Sequence, residues 1–175
     1  MSRSLKNTLR AMGWLLLSHI LCLVLAFSFA ILPQAAMQWL SLFCCLLAHV
    51  LLMGNCGMSI AKEHLVCYRQ DKIIVPLWQT VCIGLFTAIP ALLLYALLWI
   101  LSDSVGYLNL YLLLNAPVIQ ILHLIVQEAE TFSALSALQR IWMALLPFLS
   151  TVSLLGGYLL VYPKELAKEI AQREK

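Results

Sequence analysis

The stretch that decides the fold is residues 11–53, AMGWLLLSHILCLVLAFSFAILPQAAMQWLSLFCCLLAHVLLM. It contains two apolar runs, 11–32 and 35–53, separated only by Pro33 and Gln34. A transmembrane helix needs about 20 mostly apolar residues to cross roughly 30 Å of hydrocarbon, and both runs meet that length. Because the connector is so short, the two helices are predicted to form an antiparallel hairpin within a membrane.

The composition of the whole chain indicates the same class of protein. Of its 175 residues, 63% are hydrophobic and 11% are charged, against about 45–50% and about 25% in soluble domains. The 11 basic and 8 acidic residues are too few to cover the surface of a small soluble domain. These values exclude a soluble enzyme, a nucleic-acid-binding protein and a disordered tail, and they predict an all-α integral membrane protein.

Two further apolar runs bring the number of predicted spans to four. The third run covers residues 77–101 and contains Pro90, which removes one backbone hydrogen bond and predicts a kink. The fourth covers residues 141–162. The polar residues 54–72 are interpreted as a cytoplasmic loop, and residues 163–175 as a cytoplasmic tail. The expected architecture is a single domain, a four-helix membrane bundle.

The segment between the third and fourth spans, residues 106–139, is ambiguous. After Pro117, a good first residue of a helix, apolar residues occupy one face and polar residues recur on the other. The polar set is Gln120, His123, Gln127 and Glu130. This pattern favours an amphipathic helix that lies in the plane of the membrane interface. The alternative is a fifth span over residues 110–126.

The distribution of lysine and arginine predicts the orientation, because cytoplasmic segments of membrane proteins carry an excess of these residues. With four spans, Arg140 is alone on one side of the membrane, whereas a fifth span would divide the basic residues seven against four. Four spans with both termini in the cytoplasm is therefore the prediction. The ten basic residues on the cytoplasmic side are Arg3, Lys6, Arg10, Lys62, Arg69, Lys72, Lys164, Lys168, Arg173 and Lys175.

Four side chains of the predicted hairpin form a candidate metal site. If the chain turns near Gln34, His19 and His49 each lie 15 residues from the turn. Cys22 and Cys45 lie 12 and 11 residues from it, and the spacing places each pair on one helix face. Two imidazoles and two thiolates at one depth would suit zinc or another soft metal. Packing and polar contacts between helices explain the same residues without a metal.

The sequence contains no recognisable catalytic motif. No Asp, Glu, Lys or Arg lies inside the four predicted spans, which argues against a carboxylate-driven antiporter. G-x-S-x-G, H-E-x-x-H and phosphate-binding glycine loops are also absent from the sequence. We therefore expect a protein that is not an enzyme and needs no cofactor.

A run within residues 54–98, GNCG…LVCYRQDK…IGLFTAIPALLLYALL, joins a polar segment to a span with an Ile-Pro pair. Gly157 and Tyr158 follow near the end of the last span. This combination resembles small uncharacterised four-span bacterial membrane proteins. The resemblance implies a bacterial inner membrane and names no activity.

Two functions are compatible with these features. The first is a non-enzymatic accessory or interaction subunit that associates with a membrane-protein partner or with copies of itself. Its support is the small residues four positions apart, Gly84 with Ala88 and Ser153 with Gly157, which allow close helix packing. The same residues would equally serve packing inside the bundle itself. The alternative is a small oligomeric transporter or channel for a small solute or metal ion, indicated by the hairpin's polar residues and by the prolines within the spans. The lipid bilayer is the expected partner in both cases.

Overall fold

The computed structural model of the protein describes residues 3–30, 35–71, 73–126 and 129–173. Within these ranges the chain is helical and forms no strand. Its α-helices are α1 (Arg3–Ala30), α2 (Ala35–Asp71), α3 (Leu77–Ile100), α4 (Val105–Leu114), α5 (Ile119–Val126), α6 (Ala137–Leu145) and α7 (Leu149–Arg173). Four helical segments are long and apolar enough to cross a membrane, and they are Ser4–Phe29, Met37–Gln70, Leu77–Ile100 and Ala137–Gln172. The all-α fold with four apolar helices of membrane-spanning length is thus confirmed.

The long helices turn large apolar side chains outward and keep small or polar ones inside. On α1, Leu17, Val24 and Phe27 are exposed. The buried face of the same helix carries Ala11, Leu15, Ser18, Cys22 and Ala26. This arrangement suits a membrane, where lipid is as apolar as leucine and helices associate through close packing and hydrogen bonds.

Helices α1 and α2 are neighbours, and their contacts run in opposite directions along the two helices. The Arg10 guanidinium lies 2.9 Å from the Glu63 carboxylate. Further along α1, Ser18 reaches His49 and Cys22 reaches Cys45. Residues 31–34, where the predicted hairpin turns, lie outside the described residues.

The polar segment after the second apolar run is not a loop. Residues 54–71 continue α2 without a break, so the interpretation of residues 54–72 as a loop is wrong for this part, and residue 72 lies outside the described residues. The helix continues because its small residues pack against α7. A Cβ atom on Gly57 would collide with the Leu154 carbonyl oxygen, and one on Gly157 with the Gly54 carbonyl oxygen. Contacts distant in sequence therefore stabilise a helix whose composition resembles a loop.

The positively charged segments meet at one end of the bundle. The start of α1 is joined to α2 by the ion pair of Arg10 with Glu63. The end of α2 is joined to α7 by Arg69, whose Nε donates to Glu169 Oε1 at 2.7 Å. The first residues of α1 and the last of α2 and α7 consequently lie on the same side of the apolar layer.

The segment 106–139 is divided rather than being one interfacial helix. Helices α4 and α5 meet at an angle of 90°, and the turn Ala116–Val118 between them is buried. Ala116 packs in a cluster with Cys22, Ala26 and Cys45. The predicted interfacial helix is not confirmed, because the bend enters the bundle between α1 and α2. By length and composition, α4 and α5 form a broken span or a re-entrant loop.

The one basic residue predicted on the opposite side, Arg140, is held by aromatic rings. Its guanidinium carbon lies 5.4 Å from the centre of the Trp99 ring and 5.0 Å from that of Phe132. One terminal nitrogen also donates to the Ser133 carbonyl oxygen at 2.8 Å. The cation is therefore stabilised by ring faces and a carbonyl group, which accounts for an arginine at this end of the bundle.

Candidate intramembrane binding site

A cavity of about 350 Å³ lies between α1, α3, the end of α4 and the start of α7. Pro90, Pro117 and Pro147, from three different parts of the chain, contribute to its wall. Proline cannot donate the backbone hydrogen bond of a continuing helix; Pro117 and Pro147 accordingly sit in short 3-10 turns between helices. The cavity volume falls within the range of about 300–1,000 Å³ typical of small-molecule sites.

Most of the cavity wall is apolar and part of it borders the lipid-facing surface. Leu15, Leu23 and Leu94 line its interior. Four further lining residues are themselves exposed on the outside of the bundle, namely Leu16 and Ile20 of α1 and Leu113 and Leu114 of α4. The cavity therefore opens on the outer surface of the bundle between α1 and α4.

His49 is the central polar group of the site, and it is 1% exposed. Its Nδ1 lies 2.7 Å from Ser18 Oγ on α1, and its Nε2 lies 3.2 Å from Ser150 Oγ on α7. A neutral imidazole donates through one ring nitrogen and accepts through the other. Both nitrogens are thus satisfied, and one side chain connects α1, α2 and α7.

His19 lies beside this group and lines the same cavity. Its Nδ1 is 2.9 Å from the Leu15 carbonyl oxygen. Because a carbonyl oxygen only accepts, Nδ1 carries a proton and donates it. In the neutral ring Nε2 is then an acceptor, so a bound molecule with a hydroxyl or amide N–H has a partner at this wall.

Two other polar side chains on the wall are bonded to helix backbones. Thr87 Oγ1 donates to the Gly84 carbonyl oxygen at 2.6 Å. Asn115 Nδ2 donates to the Tyr111 carbonyl oxygen at 2.8 Å, where α4 ends. The Asn115 bond lies at the broken end of α4, where backbone carbonyl groups within a membrane need hydrogen-bond partners.

The four residues of the predicted metal site are not assembled as ligands. Cys22 and Cys45 touch each other's helix, each thiol donating to the other residue's carbonyl oxygen at 3.4 and 3.6 Å. His49 is bonded to serines and His19 to a carbonyl group. In the ranges that the structure describes, no three His, Cys, Asp or Glu residues are grouped to hold a metal ion. The geometry does not support the metal hypothesis.

Sequence reasoning missed Ser18 and Ser150, which are 31 and 101 positions from His49. No local motif joins residues so far apart. The one available signal was helical spacing, since Ser18 and Cys22 are four residues apart and share a helix face. Nothing comparable marked Ser150, because its relation to His49 depends on how α7 packs on α2.

No similarity to a known protein assigns a function to this site. Comparisons with protein-family models, with curated proteins and with solved structures found no match. The resemblance to small bacterial four-span proteins stays a prediction.

Proposed function

We propose that this protein binds a small, mostly apolar molecule inside the membrane, in the cavity described above. The observation that carries the proposal is that two helix interruptions, at Pro117 and Pro147, and the proline within α3, Pro90, all line one cavity. Membrane transporters commonly place their binding sites near the bilayer midplane, where helices are discontinuous. Of the two functions predicted from the sequence, the transporter of a small solute therefore has the stronger support.

The chemistry of the wall defines the ligand class. Leucine side chains dominate the cavity, so apolar contact supplies most of the binding free energy. Few polar groups are available, and His19 is the one whose free ring nitrogen accepts a hydrogen bond. The wall thus suits a molecule with a hydrocarbon body and one hydrogen-bonding group. A fully charged ion would lose its hydration without gaining a charged partner.

The accessory role has less support, because the small residues that favoured it are used within the chain. A Cβ atom on Gly84 would lie 2.8 Å from Thr151 Cγ2, and one on Gly157 would collide with the backbone of Gly54. Both positions serve the crossings of α7 with α3 and α2. They are not available to a membrane-protein partner or a second copy of the chain.

We also propose that the protein lies in a bacterial inner membrane with both termini in the cytoplasm. The ion pairs of Arg10 with Glu63 and of Arg69 with Glu169 support this orientation. They bring the basic ends of α1, α2 and α7 together at one end of the bundle, and lysine and arginine favour the cytoplasmic side.

The binding proposal is tested by photolabelling the full chain in lipid nanodiscs with a photoactivatable medium-chain alcohol. The matched variants are Ala91→Phe, which fills the cavity, and Ala96→Phe, which adds the same ring on the exposed side of α3. We expect saturable labelling of cavity peptides in the wild type and in Ala96→Phe, and its loss in Ala91→Phe. Labelling that is nonsaturable everywhere, or that is insensitive to Ala91→Phe, contradicts the proposal.

A further inference from the structure

We propose that Ser150, His49 and Ser18 form a membrane-embedded acyl-transfer site that acts on a carboxylic ester bound in the cavity. This inference rests on the proposed function, because the ester reaches Ser150 only if the cavity binds it. It also departs from the expectation that the protein is not an enzyme. That expectation relied on the absence of local motifs, whereas this arrangement is assembled from three helices.

The three side chains have the arrangement that an activated serine nucleophile requires. A nucleophile needs a base within about 2.6–3.2 Å, and the base needs a third group to orient it. Ser150 Oγ lies 3.2 Å from His49 Nε2, and Ser18 Oγ lies 2.7 Å from His49 Nδ1. When Nδ1 donates to Ser18, Nε2 presents its lone pair to Ser150. Ser150 is then the nucleophile, His49 the general base and Ser18 the positioning residue.

Ser150 differs from the other buried serine and threonine residues of α7. Thr151 Oγ1 donates to the Gly84 carbonyl oxygen at 2.8 Å, and Ser153 Oγ donates to the Leu149 carbonyl oxygen at 2.8 Å. Those two hydroxyls are engaged by backbone carbonyl groups. Ser150 is instead paired with an imidazole, and both Ser150 and His49 line the cavity.

The cavity selects the class of ester. Its wall is apolar and borders the lipid, so the substrate is a lipid-soluble ester with a hydrocarbon chain. The amide of Asn115 lines the same cavity and is the side chain suited to donate to the carbonyl oxygen as negative charge develops there. In the present structure this amide donates to the Tyr111 carbonyl oxygen, so it must turn from that bond to act.

The proposed reaction balances without an oxidant or reductant. Ser150 Oγ forms a bond to the ester carbonyl carbon while its proton passes to His49 Nε2. The ester C–O bond then breaks, and His49 returns the proton to the departing alkoxide, which leaves as an alcohol. Water or a second alcohol attacks the acyl group on Ser150 in the same way. The acyl group leaves as an acid or a new ester, and Ser150 regains its proton.

The test is labelling of the full chain in nanodiscs by an alkyl fluorophosphonate, which reports an activated serine without knowledge of the natural ester. Serine oxygen bonds to phosphorus, fluoride leaves, and the serine proton is taken up by His49. We expect peptide mass spectrometry to place the adduct on Ser150. His49→Gln should slow the labelling by about 100-fold or more, the usual contribution of a general base. Ser153→Ala is the matched control and should label at the wild-type rate.

Ser18 is tested separately because it acts through His49. Ser18→Ala should slow labelling, and Ser18→Thr, which keeps the hydroxyl, should restore it. A residue with a purely structural role would alter the stability of the fold in both variants without this selective rescue. Absence of an adduct on wild-type Ser150, or an adduct at an unrelated residue, overturns the proposal whether or not the variants fold.

The photolabelling experiment separates failure of this inference from failure of the binding proposal. Saturable photolabelling of wild type and Ser150→Ala, with no fluorophosphonate adduct, means that the cavity binds and that acyl transfer is wrong. An adduct on Ser150 without saturable photolabelling means that the serine is activated and that the proposed binding site is wrong. Loss of both signals in the folded wild type removes both proposals.

Discussion

Replacing Gly157 by alanine is expected to push α2 and α7 apart at their crossing. An added Cβ atom would lie 2.7 Å from Gly54 Cα and 2.6 Å from the Gly54 carbonyl carbon. Nonbonded carbon atoms prefer about 3.5–4.0 Å, so the two helices must separate locally by about 1 Å. The obstructing atoms belong to the backbone of α2, and no side-chain rotation can relieve the overlap.

The expected cost is about 3 kcal/mol in the free energy of unfolding. Overpacking a well-packed interior usually costs about 1–3 kcal/mol. The upper end applies here because the Cβ atom is fixed to the backbone of α7 and the atoms that it meets are backbone atoms of α2. A loss of this size raises the unfolding equilibrium constant by about 100-fold, since 1.36 kcal/mol corresponds to a factor of ten.

Gly156→Ala is the matched control, because it changes the neighbouring residue of the same helix. A Cβ atom on Gly156 would meet nothing within 4 Å. Alanine is favoured over glycine inside a helix by about 0.8–1.0 kcal/mol, so this variant should be as stable as the wild type or more so.

The assay is reversible unfolding in mixed detergent micelles of increasing SDS fraction, followed by the loss of helical circular dichroism. We expect the transition of Gly157→Ala to move to a lower SDS fraction and that of Gly156→Ala to stay or move higher. Equal stability of Gly157→Ala and the wild type, or equal destabilisation by both substitutions, would show that the close helix crossing is wrong.

Three further predictions follow from other parts of the structure. Arg140→Met should lower the free energy of unfolding by about 1–2 kcal/mol through loss of the cation contacts with Trp99 and Phe132. Arg140→Lys keeps the positive charge and should lower it by less. Equal stability of the wild type and both variants in the SDS assay would contradict the cation contacts. His49→Phe should lower the free energy of unfolding by about 1–2 kcal/mol, since hydrogen bonds between membrane helices average about 0.6 and reach about 1.7 kcal/mol. His49→Gln can keep one of the two hydrogen bonds and should lower it by less. Unchanged stability in both variants would argue against the hydrogen bonds to Ser18 and Ser150. Reporter fusions to both termini should give cytoplasmic signals, while a cysteine introduced by Asp103→Cys should react with an impermeant maleimide from outside; opposite signals from the two termini would refute the orientation.

The number of long apolar helices could be predicted from the sequence because crossing a bilayer depends on a local property, the length of an apolar run. The extent of α2 could not. Gly54, Asn55 and Gly57 have the composition of a turn, yet the chain stays helical because its glycines fit against α7, about 100 residues away.

For the predicted hairpin, counting residues gave the depth of each side chain but not the direction in which it points. Counting residues from the predicted turn places Cys22 and Cys45 at similar depths, and the two residues are in contact. His19 is three residues from Cys22, and its side chain is therefore offset by about 60° around α1. That offset is enough for His19 to line the cavity while Cys22 packs against Cys45. Counting along the chain measures depth, whereas the direction of each face depends on the neighbouring helices.

The sequence predicted a helix that begins at Pro117, but the course of the chain at the bend between α4 and α5 was not predictable. It enters the bundle because Ala116 is small enough to pack against Cys22 and Cys45. Amphipathic spacing describes the two faces of a helix and does not say whether the more polar face meets water or other helices.

By itself, the sequence determined four helices long and apolar enough to cross a membrane, because that property depends on hydrophobicity summed over about 20 neighbouring residues. Only the tertiary structure decided that Pro90, Pro117 and Pro147 surround one cavity and that His49 joins Ser18 and Ser150. Those groups are brought together by helix packing, in which backbone clearance at Gly54 and Gly157 sets how closely α2 and α7 approach.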